Sequence, residues 1–350
     1  MTSILITGGA GFIGVHSARH FQELGWTVTV LDNLSRKGTP ENLAWLQNAR
    51  PSRFVQADVR DRDAVERIVG EIRPDALLHL AAQVAVTTSV EDPRADFDTN
   101  ALGTFNMLEA VRRKSPQTFF INASTNKVYG RMEDLGVVER NGRYEYGDPA
   151  GGVSEERALD FHSPYGCSKG AADQYTIDYA RIYGLKTVTF RQSCIYGTRQ
   201  FGIEDQGWVA WFTIASVLGK PITIYGDGKQ IRDVLHVGDL VRVYEAAFAH
   251  RNRVTGQAFN IGGGPDNTLS LRELIAQLEQ TLGNKIPLKW GDWRPGDQPV
   301  FVCNVTKAEK LLGWRPSTGV REGVDELIDW TRDNRQLFDS VTKDAIASAG

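Results

Sequence analysis

The sequence is poor in cysteine and in net charge, and each shortage excludes a class of protein. Its three cysteines, Cys167, Cys194 and Cys303, are far apart among 350 residues, and no pair has metal-ligand spacing. This argues against a disulfide scaffold and a structural zinc site, so we expect no metal and a reducing compartment. Lys and Arg total 40 against 43 for Asp and Glu. The resulting net charge of −3 excludes a generally basic protein that coats nucleic acid.

Long apolar runs are also missing. No uninterrupted run approaches the roughly 18 residues that a membrane span needs. The N-terminus, MTSILITGG, has no basic segment and only a short apolar stretch, unlike a secretory signal peptide. Hydrophobic residues nevertheless make up 41% of the chain, which is ample for a globular core. We therefore expect a cytoplasmic protein with no membrane or nucleic-acid partner.

Short β-branched runs alternate with helical patterns in the first half of the chain. This alternation predicts parallel strands joined by right-handed helical crossovers. The predicted strands are Ser3–Thr7, Thr27–Leu31, Arg53–Gln56, Ala76–Leu80, Thr118–Ala123 and Thr187–Phe190. The predicted helices between them are Phe12–Leu24, Arg62–Glu71, Ala101–Lys114 and Pro164–Tyr183.

The second half is less regular. A polar stretch at 131–157 predicts a surface excursion. Beyond it, the pattern predicts short strands and helices at Trp208–Leu218, Ile222–Tyr225, Ala258–Ile261, Leu271–Leu282 and Gly323–Asn334. We predict an α/β protein whose Rossmann-type, doubly wound parallel sheet lies mainly in residues 1–190. A smaller mixed α/β substrate-binding lobe is expected mainly in 191–335, with segments crossing between the two, and a C-terminal tail in 336–350.

A glycine-rich turn joins the first predicted strand to the first helix. Gly8 permits the tight turn, Gly11 permits close approach of the backbone to a pyrophosphate, and Gly14 permits close packing of the helix. The N-terminus of that helix supplies free N–H groups and partial positive charge for phosphates. A glycine turn between a strand and a helix predicts a dinucleotide site. The alternative is a turn in which the glycines have only a structural role.

Asp32 ends the next strand, 18 residues after Gly14. A carboxylate there accepts hydrogen bonds from ribose hydroxyls and repels the additional phosphate of NADP, so NAD is the favoured cofactor. Arg36 and Lys37 follow closely and weaken this preference, because one role for them is to bind the additional phosphate of NADP. The alternative is that they belong to a solvated loop. Asp58 either contacts the adenine or caps the following helix. The predicted cofactor-binding residues are Gly8, Gly11, Phe12, Ile13, Gly14, Asp32, Asn33, Ser35, Arg36, Asp58, Val59, Leu80, Ala81, Ala82, Gln83, Asn100, Tyr165 and Lys169.

Tyr165 and Lys169 are the candidate catalytic pair. Their spacing of four residues places them on one face of a helix. A neighbouring ammonium and a nicotinamide cation would both favour the phenolate of Tyr165, which then acts as general base toward a sugar or alcohol hydroxyl. Thr125 follows the strand that ends at Ala123 and is the predicted partner that shares the substrate proton. Its alternative role is a simple Ser/Thr turn.

These motifs resemble those of the extended short-chain dehydrogenase/reductases that act as nucleotide-sugar epimerases and dehydratases. The matching segments include TGGAGFIG, HLAAQ, GDGKQIRDVLHVGDL and RPGDQ, and the resemblance covers about residues 3–330. Longer blocks, STNKVYG and DFHSPYGCSKGAADQY, resemble the subfamily of 2-epimerases that act on CDP-paratose and CDP-tyvelose. The resemblance implies bound NAD, a CDP-sugar substrate, and an isomerase reaction that inverts C2 through a transient keto sugar.

One departure from the family pattern bears on the reaction. The dehydratases carry an Asp-Glu pair directly after the catalytic threonine, where this chain has Asn126 and Lys127. Dehydration is therefore not expected, whereas oxidation followed by re-reduction needs neither carboxyl group. Oxidation directly at C2 is the simplest route, with oxidation at C4 as the alternative. A UDP-hexose 4-epimerase and, in a different class, an inactive NAD-sensing protein are the rival functions.

The resemblance also assigns roles on the substrate side. It implies that Arg232 and Arg294 clamp the diphosphate, since guanidinium groups bind phosphate oxygens bidentately, and that Asp297 contacts the nucleotide ribose. A surface ion pair is the alternative for each arginine. Related enzymes pair through helices matching 101–114 and 164–183, so a homo-oligomer, dimer or tetramer, is expected. The predicted substrate-binding residues are Thr125, Asn126, Lys127, Arg199, Gln200, Arg232, Arg294 and Asp297.

Overall fold

The computed structural model of this chain describes residues 1–148, 151–294 and 297–338. Its strands are β1 (Ser3–Thr7), β2 (Thr27–Asp32), β3 (Arg53–Gln56), β4 (Ala76–His79), β5 (Phe119–Thr125), β6 (Val137–Arg140), β7 (Arg143–Tyr146), β8 (Thr187–Gln192), β9 (Cys194–Tyr196), β10 (Ile222–Tyr225), β11 (Ile231–His236), β12 (Gln257–Ile261), β13 (Thr268–Ser270), β14 (Leu288–Gly291) and β15 (Val300–Phe301). Its helices are α1 (Phe12–Glu23), α2 (Thr39–Ala49), α3 (Arg62–Ile72), α4 (Val86–Glu91), α5 (Pro93–Phe97), α6 (Gly103–Lys114), α7 (Ser163–Tyr183), α8 (Trp208–Val217), α9 (Val237–Ala249), α10 (Arg251–Val254), α11 (Leu271–Leu282), α12 (Thr306–Leu312) and α13 (Val320–Asp333).

Seven strands form one parallel sheet in the order β12-β8-β5-β4-β1-β2-β3. Strand β1 pairs with β2 on one side and with β4 on the other, so the winding of the chain reverses between β1 and β4. In such sheets, ligands bind in the crevice beyond the carboxyl ends of the strands at this reversal. The predicted Rossmann-type, doubly wound fold is confirmed.

Alternate residues of β1 fill the two layers that cover this sheet. Ile4 and Ile6 pack in the core that contains residues of α1 and α9. Leu5 points to the opposite face and packs with residues of α3 and α6. All three side chains are fully buried, which stabilises the fold by about 1.5–3 kcal/mol for each. The short apolar run therefore anchors helices on both faces and fixes where the glycine turn begins.

The remaining strands build a smaller mixed layer against the carboxyl ends of the large sheet. Strand β11 pairs with β9, β13 and β15, and β10 pairs with β14. Helices α8, α11 and α13 supply its separate apolar core, with Phe212, Leu274 and Leu327 among the buried side chains. Because β9 follows β8 after one residue, the two layers are joined directly beside the ends of β5 and β8.

Some local predictions differ from the structure. The helix predicted to begin at Ala101 begins at Gly103, because a π-helical turn occupies Asp98–Leu102. The predicted excursion at 131–157 contains the antiparallel pair β6–β7. Helix α2, which no pattern predicted, begins after a left-handed Gly38 and carries its proline in the first turn. Of the predicted tail, residues 339–350 lie outside the described residues. In the part that the structure describes, no helix has the length and apolar character needed to span a membrane.

Candidate active site

The glycine turn brings α1 against two strand ends. The Gly8 carbonyl accepts a hydrogen bond from the Gly11 N–H at 3.0 Å, and Gly8 has a φ of +66°. A Cβ on Gly14 would lie 2.3 Å from the Gly8 oxygen, and a Cβ on Gly8 would lie 2.7 Å from the Ala81 nitrogen. No side chain caps the start of α1. Its free N–H groups therefore face a cradle whose size depends on the absence of side chains, which suits a diphosphate.

A cavity opens from this turn along the carboxyl ends of β1, β2, β4 and β5. The predicted cofactor-binding residues in its wall are Gly8, Gly11, Phe12, Ile13, Gly14, Asp32, Asn33, Ser35, Arg36, Asp58, Val59, Leu80, Ala81, Ala82, Tyr165 and Lys169. Gln83 and Asn100 do not line it. They hydrogen-bond to each other instead, Gln83 N–H to Asn100 Oδ1 at 2.9 Å and Asn100 Nδ2 to the Gln83 carbonyl at 3.0 Å. The structure therefore places these two residues behind the wall as supports.

Asp32 lies in the wall at the end of β2. Its two carboxylate oxygens accept hydrogen bonds from the Ala10 N–H at 3.0 Å and the Leu34 N–H at 2.8 Å. Burial raises the pKa of Asp32, and these two N–H groups oppose the rise. Arg36, on the following loop, hydrogen-bonds to the side chain of Gln206. The loop after β2 thereby reaches a segment of the second layer across the cavity.

Asp58 lies at the neighbouring strand end. It accepts a hydrogen bond from Asn33 Nδ2 at 2.9 Å and pairs with Arg60 at 2.7 Å, and this pairing holds its pKa well below the usual range. The alternative that Asp58 caps α3 is wrong, because Asp61 accepts the capping hydrogen bond from the Ala64 N–H. Asp58 and Asn33 form a fixed polar rim at this end of the cavity.

Tyr165 and Lys169 lie in the first two turns of α7. Lys169 Nζ donates to the Ala123 carbonyl at 2.5 Å, and burial lowers its pKa to about 8. Burial raises the pKa of the Tyr165 phenol and the charge of Asp96 acts in the same direction, while a hydrogen bond with the Thr125 hydroxyl and the charge of Arg36 lower it. The expectation that Lys169 and a bound nicotinamide cation favour the phenolate stays a prediction. Burial dominates, and Thr125 and Arg36 oppose it.

Thr125 ends β5 beside this pair. Its hydroxyl oxygen also accepts a hydrogen bond from the Lys127 N–H at 3.3 Å, so it closes the turn that follows the strand. The two interpretations of Thr125 are thus compatible, because one oxygen serves both the turn and Tyr165. The strand end, the turn and α7 together fix a hydroxyl, a phenol and an ammonium at the cavity.

The structure brings Lys127, Arg232 and Asp297 together at one side of this group. Arg232 pairs with Asp297 at 2.6 Å. Lys127 Nζ lies 3.5 Å from Gln298 Oε1, and burial lowers its pKa to about 8, with Arg232 acting in the same direction and Asp297 against it. Two cations, one of them paired with Asp297, thus lie near one carboxylate, which leaves net positive charge in a part-buried site.

The other predicted substrate residues lie elsewhere. Arg294 pairs with Asp205 at 3.0 Å, and its guanidinium lies 4.0 Å from the centre of the Tyr225 ring. Arg199 and Gln200 form part of the wall of the cavity that begins at the glycine turn. Arg199 lies over the rings of Trp45 and Trp330 and is not part of the group formed by Lys127, Arg232 and Asp297. Asn126 is buried and accepts a weak hydrogen bond from the Thr125 hydroxyl at 3.3 Å.

Sequence reasoning missed several residues of the cavity wall. Ser124 is the most informative, since its buried hydroxyl has no hydrogen-bond partner within the described part of the chain and is left for a ligand. Its position directly before Thr125 was the available signal. Gln206 had none, because only the tertiary fold brings its loop to Arg36. The other residues without a prediction are Leu31, Thr39, Asn42, Ala57, Val84, Thr99, Ala123, Gln192, Phe201 and Gly202.

Comparison with known proteins places the chain in a family. The signature of the family described as GDP-mannose 4,6 dehydratase matches residues 5–327. The chain is 46% identical over 333 residues to a CDP-paratose 2-epimerase of Salmonella typhi, which covers 94% of this chain and 98% of that protein.

Solved structures agree with this placement. A UDP-glucose 4-epimerase of Thermotoga maritima, solved with UDP-glucose, has a TM-score of 0.82 at 33% identity, over 95% of this chain and 100% of that one. A UDP-glucose 4-epimerase of Thermus thermophilus, solved with NAD, has a TM-score of 0.80 at 33% identity, with the same coverage.

Proposed function

This chain belongs to the GDP-mannose 4,6-dehydratase family, and within it we propose that the chain is an NAD-dependent epimerase that inverts C2 of a CDP-linked hexose such as CDP-paratose. One observation carries the choice of reaction. Thr125 and Tyr165 meet at the cavity, yet Asn126 and Lys127 follow Thr125 where elimination of water would need a carboxyl pair. The near-full-length similarity to a CDP-paratose 2-epimerase supports the choice of substrate.

The residues of the cavity fit NAD. The glycine cradle at Gly8 and Gly14 would hold the diphosphate, and Asp32 would hold the adenosine ribose. The unpartnered hydroxyl of Ser124 lies on the side of the cavity that contains Tyr165 and Lys169. When bound, the cofactor supplies reversible acceptance of a hydride. Because the proposed reaction has no net redox change, retention of the cofactor is sufficient for turnover.

We assign proton transfer to Tyr165. Its phenolate oxygen removes the proton of a sugar hydroxyl while the carbinol carbon is oxidised to a ketone, and the Thr125 hydroxyl donates a hydrogen bond to the phenolate oxygen. Lys169 supplies positive charge that stabilises the phenolate. After the keto sugar presents its opposite face, reduction of the carbonyl carbon inverts the centre and the Tyr165 phenol returns its proton to the oxygen.

The substrate diphosphate would bind at arginines that now hold carboxylates. Arg232 and Arg294 pair with Asp297 and Asp205, so either arginine gains a phosphate oxygen by exchanging or sharing its partner. The net positive charge around Lys127, Arg232 and Asp297 favours binding of the diphosphate. In this arrangement Asp297 leaves its ion pair with Arg232 and contacts the nucleotide ribose instead.

We also propose a homo-oligomer. The helices expected to pair expose large apolar side chains to solvent, among them Phe105 on α6 and Tyr175, Ile182 and Tyr183 on α7. A second copy of the chain would cover this face, and sedimentation equilibrium would measure the number of copies.

A product screen tests the function. Purified protein is incubated with CDP-, UDP- and dTDP-hexoses, and the products are examined by NMR spectroscopy. The proposal predicts inversion at C2 of a CDP-hexose without added NAD. Inversion at C4 of a UDP-hexose would instead identify a 4-epimerase, and NAD-loaded protein that converts none of these sugars would identify a binding protein.

A further inference from the structure

The proposed mechanism gives no role to a segment of the second layer that lines the cavity. Residues 199–206, the strap, follow β9 and lead into α8. The strap residues in the cavity wall are Arg199, Gln200, Phe201, Gly202 and Gln206. The loop after β2 and the start of α2 line the same cavity with Arg36, Thr39 and Asn42. The cavity is therefore bounded by both layers of the molecule.

The ring of Phe201 rests directly on the backbone of Gly38, in the turn before α2. A Cβ on Gly38 would lie 2.2 Å from this ring, so the contact depends on the absence of a side chain, and Gly38 has a φ of +83°. Phe201 also packs on the rings of Trp330 and Phe338, whose centres lie 6.4 and 5.5 Å away. One aromatic side chain thus reaches from the core of the second layer to the first layer.

Helix α2 holds the beginning of the strap. Asn42 Nδ2 donates a hydrogen bond to the Arg199 carbonyl at 3.1 Å. The Arg199 guanidinium lies 4.8 Å from the ring centre of Trp45 on α2 and 5.7 Å from that of Trp330 on α13, so it joins the two layers as a cation between two indoles. Arg199 has a φ of +65°, a backbone conformation that persists in a residue with a Cβ only where surrounding contacts maintain it.

The end of the strap is fixed by a tight turn and a side-chain contact. Ile203 and Gln206 exchange two backbone hydrogen bonds, each of 3.0 Å. The Gln206 side chain that follows from this turn accepts a hydrogen bond from the guanidinium of Arg36, on the loop after β2. The strap is therefore attached to the first layer near its beginning and at its end.

Two polar atoms beside the strap have no hydrogen-bond partner in the part of the chain that the structure describes. They are Asn42 Oδ1 and Gln200 Oε1, both buried, on residues that line the cavity. Because an unpaired buried acceptor costs stability, such oxygens suit donors on a ligand, and the hydroxyl and amide groups of a dinucleotide are donors of this kind. The strap is thus part of a binding wall as well as a connection between β9 and α8.

We propose that the strap retains the bound dinucleotide, so that its contacts with Gly38 and Arg36 must open before the dinucleotide enters or leaves. This inference deepens the proposed function and rests on it. Contacts that join two layers across a cavity slow entry and release alike, whereas a side chain that only touches the ligand affects release. Retention suits a reaction without net redox change, because one cofactor molecule serves every turnover.

The test measures how fast NADH enters and leaves the protein. Stopped-flow fluorescence follows NADH binding and then its displacement by excess NAD. Gln206→Ala removes the contact with Arg36, and Ile203→Ala, at an exposed position of the same strap, is the matched control. We expect Gln206→Ala to raise both rates about fivefold, the usual worth of one side-chain hydrogen bond, and Ile203→Ala to leave both rates unchanged.

Phe201→Leu weakens the contact with Gly38 and keeps an apolar side chain in the core, so it should raise both rates about tenfold. Gln206→Ala alone decides the outcome if Phe201→Leu does not fold. Unchanged rates would overturn the proposal, and so would a rise in release alone, since Gln206 would then only touch the ligand. Faster exchange in a protein that converts no nucleotide sugar would refute the proposed function and leave the strap in place. A protein that binds no NADH would refute both.

Discussion

The cofactor side and the substrate side of this molecule are built differently. The proposed dinucleotide cavity is defined by backbone, with Gly8 and Gly14 at distances that admit no side chain and Asp32 fixed by two N–H groups. The substrate side is defined by charged side chains from loops, and its candidate arginines already hold carboxylates. One site is formed before its ligand arrives, and the other must exchange partners to accept one.

This difference suits an enzyme that keeps its cofactor and releases its sugar. A preformed cradle loses little conformational freedom on binding and favours retention. Exchange of ion pairs on binding lowers the net affinity, because each phosphate contact replaces an existing contact. The proposed catalytic pair on α7 lies between the two regions, so variants can be chosen that affect each region alone.

The largest effect is expected from Tyr165→Phe, which acts between the two regions. Loss of the phenol removes the proposed base, and turnover should fall by about 10³-fold, within the usual contribution of acid–base catalysis. Both ligands should still bind, since the ring remains. Steady-state kinetics measures the loss, and Tyr175→Phe on the exposed face of α7 serves as the matched control. Retention of most activity would show that another group is the base.

Gly14→Ala should damage the cofactor side alone. Its Cβ would lie 2.3 Å from the Gly8 oxygen, so α1 must move away from the turn. A cost of about 2 kcal/mol corresponds to roughly thirtyfold weaker NAD binding. Isothermal titration with NAD measures this, and Gly136→Ala, where a Cβ meets nothing within 4 Å, is the control. Equal affinity in both variants would mean that the cradle does not hold the diphosphate.

Arg232→Gln should damage the substrate side alone. Removing a charge-assisted hydrogen bond should weaken CDP binding by about tenfold and leave NAD binding unchanged. It also leaves Asp297 without its partner, so stability should fall. Adding Asp297→Asn should restore stability but not CDP affinity. Thermal melts with CDP titrations separate these effects, and a double variant that binds CDP normally would remove Arg232 from the site.

Lys127→Met should give the smallest effect. It should increase the stability of the protein, whereas the other variants cause losses. The pKa of Lys127 is lowered from 10.5 to about 8, so below pH 8 its ammonium destabilises the folded state. The variant should be more stable by about 1 kcal/mol at neutral pH and bind CDP less tightly. Between pH 8 and about 10.5 the wild type loses this proton on folding, so the advantage should shrink. Denaturant unfolding at several pH values measures it, and a loss of stability at pH 7 would contradict the account.

The difference between the cofactor side and the substrate side also determined how much of the molecule could be predicted from the sequence. The glycine turn and the ends of β2 and β5 are local features, so the fold and residues such as Asp32, Thr125 and Tyr165 could be predicted from spacing and strand ends. The Arg232–Asp297 and Arg36–Gln206 contacts join segments more than 60 residues apart, and only the tertiary fold reveals them.

The most direct test of inversion by oxidation at C2 follows one hydrogen atom. CDP-paratose carrying deuterium at C2 is converted in ordinary water, and the product is analysed by NMR spectroscopy. Direct oxidation at C2 predicts that the inverted product keeps the deuterium at C2, because the hydride that leaves this carbon returns to it. Loss of the label to solvent would contradict direct oxidation at C2.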